Sequence, residues 1–403
     1  MKEREIIENI RKTFPDAGIG DDAAILPAGD GGLLLAADAV VEGVHFRREY
    51  STLRQAVEKV VTSNVSDIYA MGGEPGSALL TAGLPEGFSG DELAEITDGL
   101  QSACEIYGLR LAGGDTVLSP SAVFFNVAIL GSVGAGCAVP RSGAREGDAL
   151  VLFGECGRSL AGMHLLAGLL GTGEAGIPIH ETLTRNGPER EAVLALIPKL
   201  TTSTESDEIE LLLEGAGVGK ETLLAVNCMK QHLTPLARPL LPQLLGSDPP
   251  VVTSMIDVSD GLATDLRNIC TASGVGAVIH EAALPVPREI AALFPGNEEL
   301  WRRLVLASGE EYVMLGTVRG GGPAGEGAAQ AGERDDRPDV GDAQAGERDD
   351  RAGVGDAQAG VQAGSYPGGT VIGSIIPAAE GIILERRDGT REALPELGYE
   401  HRF

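Results

Sequence analysis

Hydrophobic positions along the chain follow two periods. Leu33 to Ala39 (LLLAADA) is an apolar run that predicts a buried strand carrying Asp38 near its end. From Ala56 to Met71 the spacing changes to the helical one, through Val57, Val60, Val61, Val65, Ile68 and Tyr69, which places Asp67 on a helix. Ser77–Leu84 and Val123–Val133 read as strands, Gly90–Tyr107 as the helix between them, and Leu109–Ala112 as an approach to a Gly113-Gly114-Asp115 turn. Together these predict one α+β domain over residues 1–141. A second α+β domain is expected over 147–403, opening with a strand in Gly147–Gly154 and a helix over Ser159–Leu170. Within it, 171–227 is weakly patterned, and Thr201–Glu208 reads as a polar loop. Gly369–Gly373 and Gly381–Leu384 predict a closing hairpin. Between about 319 and 365 Ala-Gln-Ala-Gly recurs at Ala329, Ala343 and Ala357. So short a unit without large apolar side chains cannot bury enough surface to order itself, which predicts a disordered insertion.

Composition narrows the function. The 403 residues are 43% hydrophobic and 22% charged, enough for two cored domains. Lys and Arg number 31 against 59 Asp and Glu, a formal charge of −28 that repels nucleic-acid phosphates. Nucleic acid is therefore excluded as a partner. The charged start Met1-Lys2-Glu3-Arg4-Glu5 and the lack of a long uncharged apolar run predict a cytoplasmic protein with no membrane segment. Cys104, Cys137, Cys156, Cys228 and Cys270 are too widely spaced for a zinc site or disulfide framework and read as reduced thiols.

The candidate chemistry lies in six short acidic clusters: Gly20-Asp21-Asp22, Asp38, Asn64-Val65-Ser66-Asp67, Gly113-Gly114-Asp115, Asp257-Val258-Ser259-Asp260 and Gly309-Glu310-Glu311. Any one of them could be a turn. Six beside apolar or Gly-rich runs predict gathered carboxylates, which repel one another unless a cation neutralises them. Mg²⁺ takes such oxygen ligands and shares them with substrate phosphates, so the clusters predict metal-dependent phosphoryl transfer. Gly215-Ala216-Gly217-Val218-Gly219-Lys220 is no Walker loop, because Glu214 and Glu221 stand where it needs Gly and Ser or Thr. No Ser-His-Asp set or nucleophilic Cys motif supports a covalent intermediate.

Gly18–Ala24, Asp38–Phe46, Val65–Ile68, Gly113–Thr116, Arg141–Ala144, Asp257–Leu262 and Ser308–Tyr312, in that order, resemble the thiamine-monophosphate kinase family of the aminoimidazole-ribonucleotide synthetase superfamily. The resemblance spans the chain apart from the two insertions. It implies a two-domain aminoimidazole-ribonucleotide synthetase-like α+β fold whose N-terminal domain pairs across a homodimer into a barrel-like sheet. It also implies ATP-dependent, Mg²⁺-dependent in-line phosphorylation of thiamine monophosphate to thiamine diphosphate. By motif position, Asp22, Asp38, Asp67, Asp115, Asp257 and Asp260 would bind metal. Tyr107, Gly114, Asp115, Arg141 and Ser259 would bind ATP, and His45, Glu310 and Tyr399 the thiamine substrate. Three departures stand out: Ala37 replaces a hydroxyl residue, Ser308 and Glu311 replace Gly and Asp, and Tyr399 replaces Trp. The open alternatives are another ATP-using member of the superfamily and a non-catalytic nucleotide-binding regulator.

Overall fold

The computed structural model describes residues 3–14, 19–29, 31–171, 188–214, 218–240, 242–245, 251–320 and 365–399. Nearly all of the repeat-bearing insertion, the Gly-rich 215–217 and much of the first insertion lie outside them. Helix α1 (Glu3–Thr13) leads to strands β1 (Ala24–Ala28) and β2 (Gly31–Val41), helix α2 (Leu53–Ala70), strand β3 (Glu74–Leu84), helix α3 (Gly90–Tyr107) and strands β4 (Arg110–Leu118) and β5 (Phe124–Val133). The strands form a sheet in the order β1-β2-β5-β3-β4, with only β3 and β4 parallel. Along β5, buried Phe125, Val127, Ile129 and Val133 alternate with more exposed neighbours, the period-two pattern of a sheet with one covered face.

Helix α2 covers that face. Thr52 and Gln55 form a capping box that fixes its start, each side chain bonding the other's backbone N–H. The helix is buried nearly all round, polar residues included, because a second layer closes over it. Gln55 donates its amide to the carbonyls of Ile197 and Leu200 at 2.7 and 3.0 Å. Glu58 accepts the Thr202 N–H at 2.8 Å.

The second sheet comprises β6 (Ala149–Phe153), β7 (Val252–Asp257), β8 (Gly276–His280), β9 (Met314–Val318), β10 (Ser365–Tyr366), β11 (Gly369–Ile376), β12 (Ile382–Glu385) and β13 (Arg391–Ala393). Its order is β13-β12-β8-β11-β6-β9-β7, with β10 paired to β11. Helices α4 (Arg158–Leu169), α5 (Pro188–Leu196), α6 (Ser206–Glu214), α7 (Lys220–Leu233), α8 (Pro242–Leu245), α9 (Leu262–Ser273), α10 (Arg288–Leu293) and α11 (Glu298–Ala307) accompany it. Leu165, Leu169, Val193, Ile209, Met229 and Leu304 share one buried cluster, so α4, α5, α6, α7 and α11 form a helical layer of their own.

The α+β expectation holds, with three corrections. Gly113-Gly114-Asp115 is not a turn: β4 runs straight through it, Gly114 lying opposite Leu80 and Asp115 opposite Thr81. A Cβ on Gly114 would sit 2.0 Å from the Leu80 carbonyl oxygen, so this glycine is required by strand pairing. The weakly patterned stretch holds three described helices, and α6 begins at Ser206 inside the expected loop. β11 and β12 do not form a hairpin; they flank β8, one antiparallel and one parallel. Within the single chain the first sheet is open, ending at strands β1 and β4.

Candidate active site

One oxygen from each of Asp22, Asp67 and Asp257 lies within 4.8 Å of the others. Asp22 comes from the segment before β1, Asp67 from the last turns of α2 and Asp257 from the end of β7, so both layers are needed to build the group. Burial pushes the Asp257 carboxyl up to about 8, with the Asp22 charge adding to the shift and a 2.7 Å hydrogen bond from Ser66 opposing it. Asp67 is pushed well above the usual carboxylate range by burial and by Asp38, Asp257 and Asp22. Asp38 is raised by its crowded surroundings and by Asp22. Its backbone N–H reaches the Asn64 amide oxygen at 3.1 Å, which ties β2 to α2 beside Asp67.

Arg141 is the cation of this group. Its guanidinium pairs with Asp22, and its backbone N–H donates to Asp21 at 2.8 Å. The other Asp22 oxygen, Oδ2, and Arg141 Nε are buried with no partner among the described residues. Buried polar groups are ordinarily satisfied. Here one carboxylate oxygen and one guanidinium nitrogen depart from that rule. The donor set is hard oxygen throughout, without His or Cys, and suits Mg²⁺ better than zinc or copper.

The remaining predicted residues fall into three places. Ser259, Asp260, Glu310 and Tyr399 meet where two loops and the C-terminal segment are sewn together. Glu310 N donates to Ser259 O at 2.8 Å, Tyr312 N to Val258 O at 3.0 Å, and Tyr399 N to Asp260 O at 2.9 Å. A Cβ on Gly309 would lie 2.4 Å from Ser259 O, so only glycine permits this approach. Glu310 and Tyr312 hold φ of 55° and 52°, a left-handed conformation uncommon outside glycine and typical of positions that the surroundings enforce. His45 lies nearby, its Nδ1 accepting the Val41 N–H at 3.1 Å. Asp115 stands outside the triad; its exposed carboxylate accepts the Thr116 N–H. Tyr107 is turned into the core, its hydroxyl meeting Thr62 at 2.9 Å and the Ala237 N–H at 3.1 Å.

Two of the family departures prove to be one feature. Ser308 donates its hydroxyl to Glu311 Oε1 at 2.6 Å, and the same oxygen accepts the Gly157 and Ser159 N–H groups at 2.6 and 2.9 Å. The pair thus anchors the Glu310 loop to the start of α4. Burial nonetheless raises Glu311 to about 7.

Four residues near Glu310 and the triad escaped the sequence reading. Lys59 Nζ donates to Glu310 Oε2 at 2.9 Å and His45 O at 3.3 Å. His232 Nδ1 lies 3.3 Å from the same Glu310 oxygen, and its ring is 6.3 Å from that of Tyr50. Asp265 accepts the Asp260 and Gly261 N–H groups. The one available signal was Lys59 itself, a charge in the apolar run AVEKVV; nothing marked the others.

Residues 20–133 match the family described as AIR synthase related protein, N-terminal domain. The chain is 30% identical over 310 residues to the thiamine-monophosphate kinase of Bacillus subtilis, covering 77% of this chain and 79% of that protein. The enzyme of the same name from Pyrococcus horikoshii is 28% identical, covering 79% and 82%. A solved structure, AaThiL complexed with AMPPCP and TMP, superposes with a TM-score of 0.67 at 24% identity over 100% of this chain and 97% of that one, which establishes the fold. With an acidic triad and a stitched Glu310 loop on that fold, and relatives of one name matching at this level, the chain belongs to the thiamine-monophosphate kinase family.

Proposed function

We propose that the protein transfers the γ-phosphoryl group of ATP directly to thiamine monophosphate, giving thiamine diphosphate. The observation that carries the reading is the half-buried to buried Asp22-Asp67-Asp257 group, with the buried atoms Asp22 Oδ2 and Arg141 Nε left without partners among the described residues. Such a group is unfavourable by itself and favourable once cations and phosphates enter. Asp22, Asp67 and Asp257, with Asp38 at their edge, would hold Mg²⁺, which when bound neutralises the phosphate charge that grows during transfer. Arg141 Nε, buried without a partner among the described residues, would donate to a nucleotide phosphate oxygen. The stitched loop offers the Glu310 carboxylate and the Tyr399 ring to a cationic thiazolium. In this reading the three aspartates serve as cation ligands, and the acceptor phosphate oxygen attacks ATP in line.

The same reading assigns Asp115, Asp260, Gly114, Ser259 and Tyr107 to metal and nucleotide, and a homodimer to the first sheet. Leu35, Leu79, Val117 and Leu130 are exposed on one face of that sheet. Such an apolar area is what a second copy would cover.

The test is thiamine diphosphate formation by the purified protein from ATP and thiamine monophosphate, with and without Mg²⁺. Product only with Mg²⁺ is expected. With γ-labelled ATP and no acceptor the protein must stay unlabelled; stable label on a side chain would reject direct transfer.

A further inference from the structure

Lys59 is an ammonium in the middle of a helix packed on all sides, its side chain 3% exposed. Placing a charge there costs several kcal/mol unless it is paired and hydrogen-bonded. The structure supplies two partners, both from the predicted acceptor site: the carboxylate of Glu310 and the backbone carbonyl of His45. One buried cation therefore joins the β2–α2 loop to the loop between α11 and β9, segments more than 250 residues apart in sequence.

Glu310 needs such support. Its left-handed backbone is enforced from one side by the Ser259 carbonyl. Its side chain is held from the other by Lys59 at Oε2, with His232 Nδ1 3.3 Å from the same oxygen. His232 is in turn 3.3 Å from Ser159, next to the α4 turn that Glu311 grips. Burial and the Lys59 charge hold His232 well below its ordinary value, so it meets Glu310 as a neutral imidazole. The Lys59 and His232 contacts of the carboxylate both fall on Oε2, and the side chain is 24% exposed.

We infer that Lys59, assisted by His232, is a positioning residue for the acceptor: it clamps Glu310 Oε2 and the His45 backbone so that Oε1 faces the cationic ring of the substrate. The inference rests on the acceptor reading given above. The contacts of Lys59 are to Glu310 and the His45 carbonyl, and it is not one of the triad. It stands on α2 eight residues before Asp67, about 12 Å along the helix at 1.5 Å per residue, so its loss should be felt at the acceptor and not at the nucleotide.

The test compares wild type, Lys59→Met, Lys59→Arg, Glu310→Gln and the Lys59→Met/Glu310→Gln double variant, with kcat and KM measured separately for thiamine monophosphate and ATP. Lys59→Met should raise the KM for thiamine monophosphate about tenfold or more, the loss of one charge-assisted hydrogen bond, and change the KM for ATP less than about twofold. Lys59→Arg should recover part of the loss. The double variant should be no worse than Glu310→Gln, since Lys59 acts through that carboxylate. An unchanged acceptor KM in Lys59→Met, an equal rise for both substrates, or additive losses in the double variant would overturn the inference. Should Lys59→Met fail to fold, His232→Asn and Lys59→Arg decide it, and unchanged acceptor KM in both would reject the clamp. A wild-type protein that makes no thiamine diphosphate overturns the parent reading instead, a distinct result.

Discussion

At the scale of single residues, the proposed metal-binding role of the triad is set against stability. Asp67 is crowded by three other carboxylates, so replacing it removes repulsion as well as a proposed ligand. Asp67→Asn should therefore raise the melting temperature of the metal-free protein while lowering turnover by orders of magnitude; a thermal melt without Mg²⁺ and a turnover assay check the two halves. The sign of the pH dependence follows from the same charges. Asp257 lies near 8 in the folded protein against an ordinary 3.8, so the folded state keeps a proton that the unfolded chain gives up. Stability from this group is fully present below about pH 4 and is lost as pH rises through 8. Metal-free protein should thus melt lower at pH 8 than at pH 6. The stabilisation by added Mg²⁺ should grow over the same interval, because the ion competes with protons for the carboxylates; melts at both pH values, with and without Mg²⁺, measure it.

At the scale of elements, the site depends on how segments cross. The chain passes Ser259 at Gly309 so closely that a methyl group would meet a carbonyl oxygen at 2.4 Å. Gly309→Ala should displace Glu310, destabilise the fold by about 1–3 kcal/mol and raise the KM for thiamine monophosphate more than that for ATP, as melts and steady-state kinetics would show. Sequence reading located these elements unevenly. The helix over Gly90–Tyr107 matches α3 at both ends, because a Ser89–Glu92 capping box and a left-handed Gly108 mark the limits locally. The Gly113-Gly114-Asp115 segment misled, since two glycines also allow close strand pairing, and only the opposing Leu80 carbonyl distinguishes that from a turn. The β11 and β12 misreading has a similar cause: each pairs with β8, a strand nearly 100 residues earlier that local pattern cannot reveal.

For the whole molecule, the consequence is assembly. The exposed face of the first sheet carries Leu79 at 49% and Leu130 at 36% exposure, on adjacent strands of an otherwise well-packed layer. A Leu79→Lys/Leu130→Lys variant should shift the protein toward monomer in light scattering at micromolar concentration, with a smaller effect on secondary structure by circular dichroism. Unchanged mass in the variant, or a monomeric wild type, would count against the proposed dimer.

The sequence alone determined the α+β character, the acidic clusters and their likeness to one enzyme family. Those depend on local periodicity and on short motifs whose residue types carry their chemistry wherever they fall. It could not decide which carboxylates converge. Asp22, Asp67 and Asp257 meet because α2 is clamped between two sheets, whereas Asp115, marked by an equally clear motif, lies exposed on β4 outside that group. Nor could it disclose the Lys59-Glu310 pair, which is 251 residues apart in the chain and 2.9 Å apart in the fold. Side chains with no motif of their own acquire a role only from what packing places beside them, and that is a property of the tertiary structure.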